Sequence, residues 1–278
     1  MTHQELALTA AKARLLGLDM VYHAASGHLG GSFSAMDVLT VLYQNVLRID
    51  PANPADPNRD RFVLSKGHCT PALYPTLALR GFFPLEDLQL FRSIRGHMSG
   101  HAEMHHVPGV DMSTGSLGRG ISAAVGMALA GKLDGKDYRV YTMLGDGEIE
   151  EGQVWEAAMS AAKFHLDNLC AIVDVNGLQI DGRTADVMPS EPLDQKWAAF
   201  GWHVIPCDGH DDQDIEEAFA EAKTVQGQPT VLLAHTVKGK GVSFMEDSAG
   251  WHGKAPNGEQ YEQAKAELSA QIARLEAR

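Results

Sequence analysis

The chain has 278 residues, of which 44% are hydrophobic and 21% are charged, and its formal net charge is -13. This composition is sufficient for a large core in one or two domains, and long disordered segments are not expected. An acidic chain is a poor candidate for general attraction to nucleic acid or to an anionic membrane. We therefore expect neither partner, and any anionic ligand must be held by a few local groups.

Residues 1–20 place charges among apolar positions, which predicts an amphipathic helix and not a signal peptide. The sequence has no run of eighteen apolar residues, so no membrane span is expected. The cysteines are far apart and form no CxxC pair, which argues against a disulfide framework and a zinc site. They are Cys69, Cys170 and Cys207. Together these features predict a cytoplasmic protein.

Along the chain, short apolar runs alternate with longer helical patterns. The first sixty residues are predicted to be mostly helical and to end in an internal loop at 50–60. The predicted strands, rich in Val, Ile, Leu and Tyr, are 61–65, 138–144, 169–175, 202–207 and 230–236. Helical patterns occupy 121–133, 153–164, 211–224 and the tail from Glu259. This alternation predicts an α/β fold with a doubly wound, mainly parallel sheet flanked by helices.

Two neighbouring strands of this sheet are predicted to end in polar turns. The segment YTMLGDGEIEEG places Asp146 between Gly145 and Gly147, and the next strand ends in Asn176-Gly177. Because consecutive parallel strands end side by side, the side chains of Asp146 and Asn176 are expected to converge. Mg²⁺ prefers such oxygen ligands and takes others from phosphates, and a helix N-terminus favours anions. GDG alone indicates only a turn, but GDG with the Asn favours a metal-bound diphosphate.

The Gly-Asp-Gly segment and the Asn that follows it resemble the fingerprint of thiamine diphosphate enzymes. The resemblance implies that Mg²⁺, or Ca²⁺ or Mn²⁺ in its place, binds to Asp146, Asn176 and the backbone carbonyl of Leu178. It also implies that Asp174 lies near the thiazolium ring of the cofactor. Two further acidic positions match residues that communicate between paired cofactor sites in the family. They are Glu151 and Glu156.

Other loops contain residues suited to a polar site. His28, His68 and His101 each lie in a glycine-containing loop and not on a predicted helix face. Imidazoles suit proton transfer and hydrogen bonding to hydroxyl or carbonyl oxygens. A glycine-rich turn at 113–128 opens a helix and could contact phosphate, and Lys238 follows the last strand. The chain has thirteen histidines, most of them expected to be structural or on the surface, so the prediction rests on this placement.

The segments SGHLGG, RFVLSKGH, GHAEM, STGSLGRG, GDG…N and KGKG occur in this order and resemble the N-terminal portion of transketolase over most of the chain. The resemblance implies a thiamine diphosphate-binding fold of the diphosphate-binding type, in one domain over 1–278. It also implies that His28, His68 and His101 line the substrate channel and that Lys238 contacts the diphosphate or the substrate. The loop expected near the aminopyrimidine and the diphosphate consists of Gly115, Ser116 and Leu117.

Two departures from the family pattern lead to separate expectations. Ala102 follows His101 where the family has Pro, so a less rigid loop is expected there. His105 and His106 are additional histidines, for which a surface location is expected.

A complete transketolase is more than twice this long, and after Ser243 the sequence predicts one more helix and no second α/β domain. The resemblance therefore implies the N-terminal subunit of a two-subunit transketolase, completed by a C-terminal, pyrimidine-binding subunit in an α2β2 heterotetramer. The implied reaction transfers a two-carbon ketol (glycolaldehyde) unit from a ketose phosphate to an aldose phosphate. Two alternatives stay open: the α subunit of a thiamine-dependent 2-oxo acid dehydrogenase, and a non-catalytic thiamine diphosphate-binding domain.

Overall fold

A parallel sheet of five strands lies at the centre of the computed structural model, which describes residues 1–277. The strands of the chain are β1 (Arg61–Leu64), β2 (Val140–Gly145), β3 (Leu169–Val175), β4 (Leu178–Gln179), β5 (Gly182–Arg183), β6 (His203–Asp208) and β7 (Thr230–His235). β4 and β5 form a separate antiparallel pair, and the other strands have the order β1-β2-β3-β7-β6. The predicted mainly parallel α/β sheet is confirmed.

Helices cover both faces of this sheet. They are α1 (His3–Ala24), α2 (Gly30–Val41), α3 (Thr70–Arg80), α4 (Gly120–Leu133), α5 (Gly152–Lys163), α6 (Thr184–Val187), α7 (Leu193–Ala199), α8 (Asp212–Thr224) and α9 (Gly258–Glu276). Shorter helical turns occur at Leu42–Val46, Leu85–Leu90, Glu148–Glu150 and Ala249–Trp251. Local sequence explains where α1 begins. The Thr2 hydroxyl accepts a hydrogen bond from the N–H of Glu5, and the Glu5 carboxylate accepts one from the N–H of Thr2.

The hydrophobic core lies on the two faces of the sheet. Because strand side chains alternate, Cys170 and Ile172 of β3 pack on the face covered by α1, α2, α3, α8 and α9. Ala171 and Val173 pack on the opposite face, against α4, α5 and α7. Apolar burial on both faces explains why the strand sequences are continuously apolar.

Strand register decides which loops meet. β2 pairs with β3 so that Gly145 lies opposite Asp174, and β3 pairs with β7 so that Asp174 lies opposite Ala234. The loops that follow β1, β2, β3 and β7 therefore all leave the sheet at the carboxyl ends of the strands. As predicted, 50–60 forms a loop of turns before β1. Within residues 1–277, no helix has the length and apolar character needed to cross a bilayer.

Candidate cofactor site

Asp146 lies in the turn that follows β2. Its carboxylate is almost fully buried and accepts hydrogen bonds from the backbone N–H groups of Gly147 at 2.9 Å and of Gly177 at 2.5 Å. Since Gly177 is in the turn after β3, the carboxylate at the end of one strand contacts the turn at the end of the next. Burial and the nearby charge of Asp174 raise the pKa of Asp146 to about 6.

Asn176 lies in that second turn and Leu178 begins β4, and both line the same cavity as Asp146. The Asn176 Nδ2 donates to Asp174 Oδ2 at 3.1 Å, and its Oδ1 accepts from the N–H of Leu178 at 3.1 Å. The carbonyl oxygen of Leu178 accepts a hydrogen bond from Lys238 Nζ at 2.9 Å. The three predicted metal ligands thus line one cavity, and the ammonium of Lys238 contacts one of them, the Leu178 carbonyl.

Asp174 is fully buried and forms an ion pair with Lys66, which lies in the loop after β1. It also accepts hydrogen bonds from Ser34 Oγ at 2.6 Å and from the Thr236 hydroxyl. Burial raises the pKa of the Asp174 carboxyl, but Lys66 and these hydroxyls lower it by more, so the pKa lies below its ordinary value. Burial lowers the pKa of Lys66, and the charge of Asp174 more than offsets this. Both residues are therefore charged at neutral pH.

Lys238 lies in the loop after β7 and is buried beside the cavity. Its Nζ contacts Nδ1 of His252 at 3.0 Å in addition to the carbonyl of Leu178. Gly30 makes this approach feasible, because a Cβ there would lie 3.1 Å from both Cε and Cγ of Lys238. Burial lowers the pKa of the Lys238 ammonium, and the carboxylate of Asp146 opposes that effect.

Four histidines form a cluster that adjoins this cavity. The ring of His28 lies 5.0 Å from that of His68, 6.4 Å from that of His101 and 5.6 Å from that of His252. The structure therefore brings together the three predicted histidines and adds His252. The Nδ1 atom of His28 is buried and has no hydrogen-bond partner among the described residues.

Burial is the main reason why these histidines are neutral. It lowers the pKa of His28 and of His68 to about 4, assisted in His28 by His68 and in His68 by Lys66. Burial, followed by the charge of Lys238, lowers the pKa of His252 to about 3, and partial burial with the nearby charge of Arg92 lowers the pKa of His101. Neutral imidazoles can donate through one nitrogen and accept through the other, which suits contacts to hydroxyl and carbonyl oxygens of a ligand.

The predicted loop of Gly115, Ser116 and Leu117 lies next to the cluster. Gly115 has φ +146 and a Cβ there would lie 2.9 Å from His101 Cδ2, so the close approach requires glycine. Leu117 is partly exposed and lines the cavity. The buried Glu148 holds the loop: its carboxylate accepts from the N–H of Gly118 at 2.9 Å, from Gly145 N–H and from a serine hydroxyl.

Some predicted residues lie away from the cavity. Glu151 and Glu156 are exposed at the start of α5, so their predicted role between paired cofactor sites stays a prediction. His105 and His106 are exposed, in agreement with the expected surface location. Ala102, where the family has Pro, donates its N–H to the carbonyl of Gly67 at 3.2 Å. Proline has no N–H, so the loop here is held by a bond that proline would remove.

Sequence reasoning missed Lys66, Glu148 and His252. His252 lies in the segment GWHG, whose histidine next to glycine meets the criterion that selected His28 and His68. Lys66 lies within the SKGH segment that was already singled out. Glu148 follows GDG directly, but no local pattern distinguishes a carboxylate that accepts backbone N–H bonds from an exposed one.

The donor atoms of the cavity fit a hard cation and a diphosphate. No three His, Cys, Asp or Glu side chains are grouped to hold a metal anywhere in 1–277, so a cation here would depend on mixed oxygen ligands. Asp146, Asn176 Oδ1 and the Leu178 carbonyl each keep free lone pairs beyond their present bonds. This set of oxygens suits Mg²⁺, and Lys238 supplies positive charge for a diphosphate.

Comparison with known proteins agrees with this geometry. The family model described as transketolase, thiamine diphosphate binding domain, matches residues 6–274. The chain belongs to the transketolase family. The expected resemblance to the N-terminal portion of transketolase is thereby confirmed, and the family domain supports thiamine diphosphate as the cofactor.

Two relatives, each named as one subunit of a transketolase, match over nearly their whole length. The apulose-4-phosphate transketolase subunit of Phocaeicola vulgatus is 45% identical over 98% of this chain and 97% of its own. The 6-deoxy-6-sulfo-D-fructose transketolase subunit SqwG of a Clostridium species is 49% identical over 92% and 93%. The solved transketolase of Campylobacter jejuni superposes with a TM-score of 0.91 at 34% identity. This chain covers 46% of that structure, so it spans about half of it.

Proposed function

We propose that this chain is the N-terminal, diphosphate-binding subunit of a two-subunit transketolase. It transfers a two-carbon ketol unit from a ketose phosphate to an aldose phosphate, with thiamine diphosphate and Mg²⁺. The single observation that carries the proposal is the cavity at the sheet edge, where Asp146, Asn176 and the Leu178 carbonyl lie together beside a cluster of neutral histidines. Relatives that this chain matches end to end are named as transketolase subunits, which favours this reaction over that of a 2-oxo acid dehydrogenase.

The residues of this chain would bind and orient, while the bound cofactor supplies the carbanion chemistry. Asp146, Asn176 and the Leu178 carbonyl would hold the cation, and Lys238 would neutralise diphosphate charge. The imidazoles of His28 and His68 would bond to hydroxyl and carbonyl oxygens of the donor and acceptor sugars.

The second half of the active site would come from a C-terminal, pyrimidine-binding subunit, in an α2β2 heterotetramer. The two relatives named above are subunits of comparable length, which supports a separate partner chain. We further propose that residues 1–278 form one domain and that the protein is cytoplasmic, where its buried free cysteines would stay reduced. A neighbouring reading frame that encodes the pyrimidine-binding half would identify the partner.

Reconstitution tests the proposed function. The purified chain, the purified partner and their mixture are assayed with Mg²⁺, thiamine diphosphate and a panel of ketose phosphates and sulfonated ketoses. We expect ketol transfer only in the mixture, and a mass by light scattering that equals two copies of each of the two chains. Full activity of this chain alone would refute its assignment to a two-subunit enzyme. Release of CO₂ from pyruvate without ketol transfer would favour the dehydrogenase, and cofactor binding with no turnover of any substrate would favour a non-catalytic domain.

A further inference from the structure

A buried network of hydrogen-bonded polar groups connects α1 to the loop that contains Lys238. Arg14 of α1 is buried and donates two hydrogen bonds to the carboxylate of Asp37 on α2, at 2.8 and 2.6 Å. The same carboxylate contacts Nδ1 of His210 at 2.6 Å, and Nε2 of His210 lies 2.9 Å from the backbone nitrogen of Val237. Val237 directly precedes Lys238, so the hydrogen-bond network reaches the residue next to the proposed diphosphate contact.

The contacts of His210 assign its ring hydrogen. A backbone N–H can only donate, so Nε2 of His210 must be the acceptor of the bond from Val237. The hydrogen of the neutral ring is then on Nδ1 and points at Asp37, whose carboxylate can only accept. Arg14 compensates the charge of Asp37, which explains how a carboxylate and an imidazole are tolerated where their side chains are only 11% and 12% exposed.

We propose that His210 is a positioning residue for Lys238, acting through the N–H of Val237; this inference rests on the proposed function. The neighbouring residues of the loop are held separately. The Thr236 N–H donates to the Val175 carbonyl at 3.0 Å, and the Gly239 N–H donates to the Gly30 carbonyl at 3.0 Å. Loss of the His210 bond therefore leaves the loop attached at both sides, and it removes the bond to the N–H that directly precedes Lys238.

Two substitutions separate the two bonds of the ring. In His210→Gln, the side-chain oxygen reaches the position of Nε2 and can still accept from Val237, while the bond to Asp37 is lost. In His210→Asn, the shorter amide occupies the position of Nδ1 and can still donate to Asp37, while the acceptor for Val237 is lost. A matched control is His203→Asn, because His203 also pairs with a carboxylate, Glu221, but on the surface.

Hydrogen exchange of the full chain without cofactor tests the bond itself. We expect the Val237 amide to exchange about tenfold faster in His210→Asn, which corresponds to the loss of one hydrogen bond to a sheltered donor. Exchange in His210→Gln and His203→Asn should match the wild type. Equal exchange in the Asn variant and the wild type overturns the proposal. Thermal unfolding of each variant shows whether the fold is intact, and the Gln variant provides the comparison if the Asn variant does not fold.

Titration with thiamine diphosphate and Mg²⁺ tests the consequence for Lys238. We expect the Kd to rise about tenfold in His210→Asn and to stay near the wild-type value in His210→Gln. In a Lys238→Met background, His210→Asn should add little, because both changes remove the same contact. Additive effects, or equal losses in the Asn and Gln variants, would show a merely structural role. Failure of the wild-type chain, reconstituted with its partner subunit, to bind the cofactor would contradict the proposed function, while the exchange comparison would still decide the role of His210.

Discussion

The Oδ2 atom of Asp146 accepts a hydrogen bond from the N–H of Gly177 at 2.5 Å, across a separation of 31 residues in the chain. This bond connects the turn after β2 to the turn after β3, and it places the carboxylate beside Asn176. The two polar turns therefore act as one structural unit, in which backbone N–H groups hold the side chains of Asp146 and Asn176 and the ammonium of Lys238 holds the Leu178 carbonyl.

Removal of the Asp146 carboxylate should prevent Mg²⁺-dependent binding of thiamine diphosphate. We expect Asp146→Ala to raise the Kd by about a hundredfold or more, since loss of groups that merely orient metal ligands already costs roughly 10- to 100-fold. Isothermal titration with and without Mg²⁺ measures the effect. Asp181→Ala, which changes an exposed carboxylate in a nearby turn, is the control and should bind normally. An unchanged Kd in Asp146→Ala would contradict the assignment of this residue as a ligand.

The buried pair of Lys66 and Asp174 should be important for stability. Lys66→Met leaves a buried carboxylate without its cation, and the free energy of unfolding should fall by about 3 kcal/mol, as is typical when one partner of a buried pair is removed. Urea unfolding measures the loss. The double variant with Asp174→Asn should recover part of it. Arg48→Met, at a surface pair with Asp137, should cost less than about 1 kcal/mol. Equal losses at the two pairs would be inconsistent with a charged buried pair.

His252 should contribute to turnover in the reconstituted enzyme. It lies in the cluster with His28 and His68 and contacts Lys238, so His252→Ala should lower kcat by roughly a hundredfold, the scale of lost proton-transfer or hydrogen-bond catalysis. Steady-state kinetics with saturating cofactor measures kcat apart from cofactor affinity. His105→Ala, at an exposed histidine, should leave kcat unchanged. If His252→Ala retained the wild-type kcat, His252 would not contribute to turnover, and only the three predicted histidines would remain candidates.

The lowered pKa values of the buried histidines predict a dependence of stability on pH. An unfolded His68 or His252 binds a proton near its ordinary pKa of 6.5, whereas in the folded chain the pKa is about 4 and about 3. Between these limits the unfolded state binds more protons, so the cofactor-free chain should lose stability as pH falls from about 6.5 towards 4. Urea unfolding at a series of pH values measures the slope. The variant His68→Gln with His252→Gln should show a shallower slope, and identical slopes would contradict the assigned pKa values.

Local sequence patterns were sufficient to predict the five strands of the parallel sheet, each to within two residues at either end. Continuous apolar runs predicted β3 at its observed limits, and the glycine next to Asp146 predicted the turn that follows β2. Three of the four clustered histidines were also found, because a histidine beside glycine can be recognised within a few residues. These features depend on propensity and periodicity, which are properties of short segments.

Only the tertiary structure decided which buried charges and hydrogen bonds are paired. Lys66 and Asp174 are 108 residues apart, and His210 is 173 residues from Asp37, so no local pattern connects them. Lys66 meets Asp174 because the strand order brings the loop after β1 and the end of β3 to the same end of the sheet. His210, which precedes α8, meets Asp37 because α2 packs against α8. The sequence by itself determined the strands, the turns and the polar residues at the turns. The fold decided their partners, because a buried charge or polar group is costly without one, and packing determines which groups lie within reach.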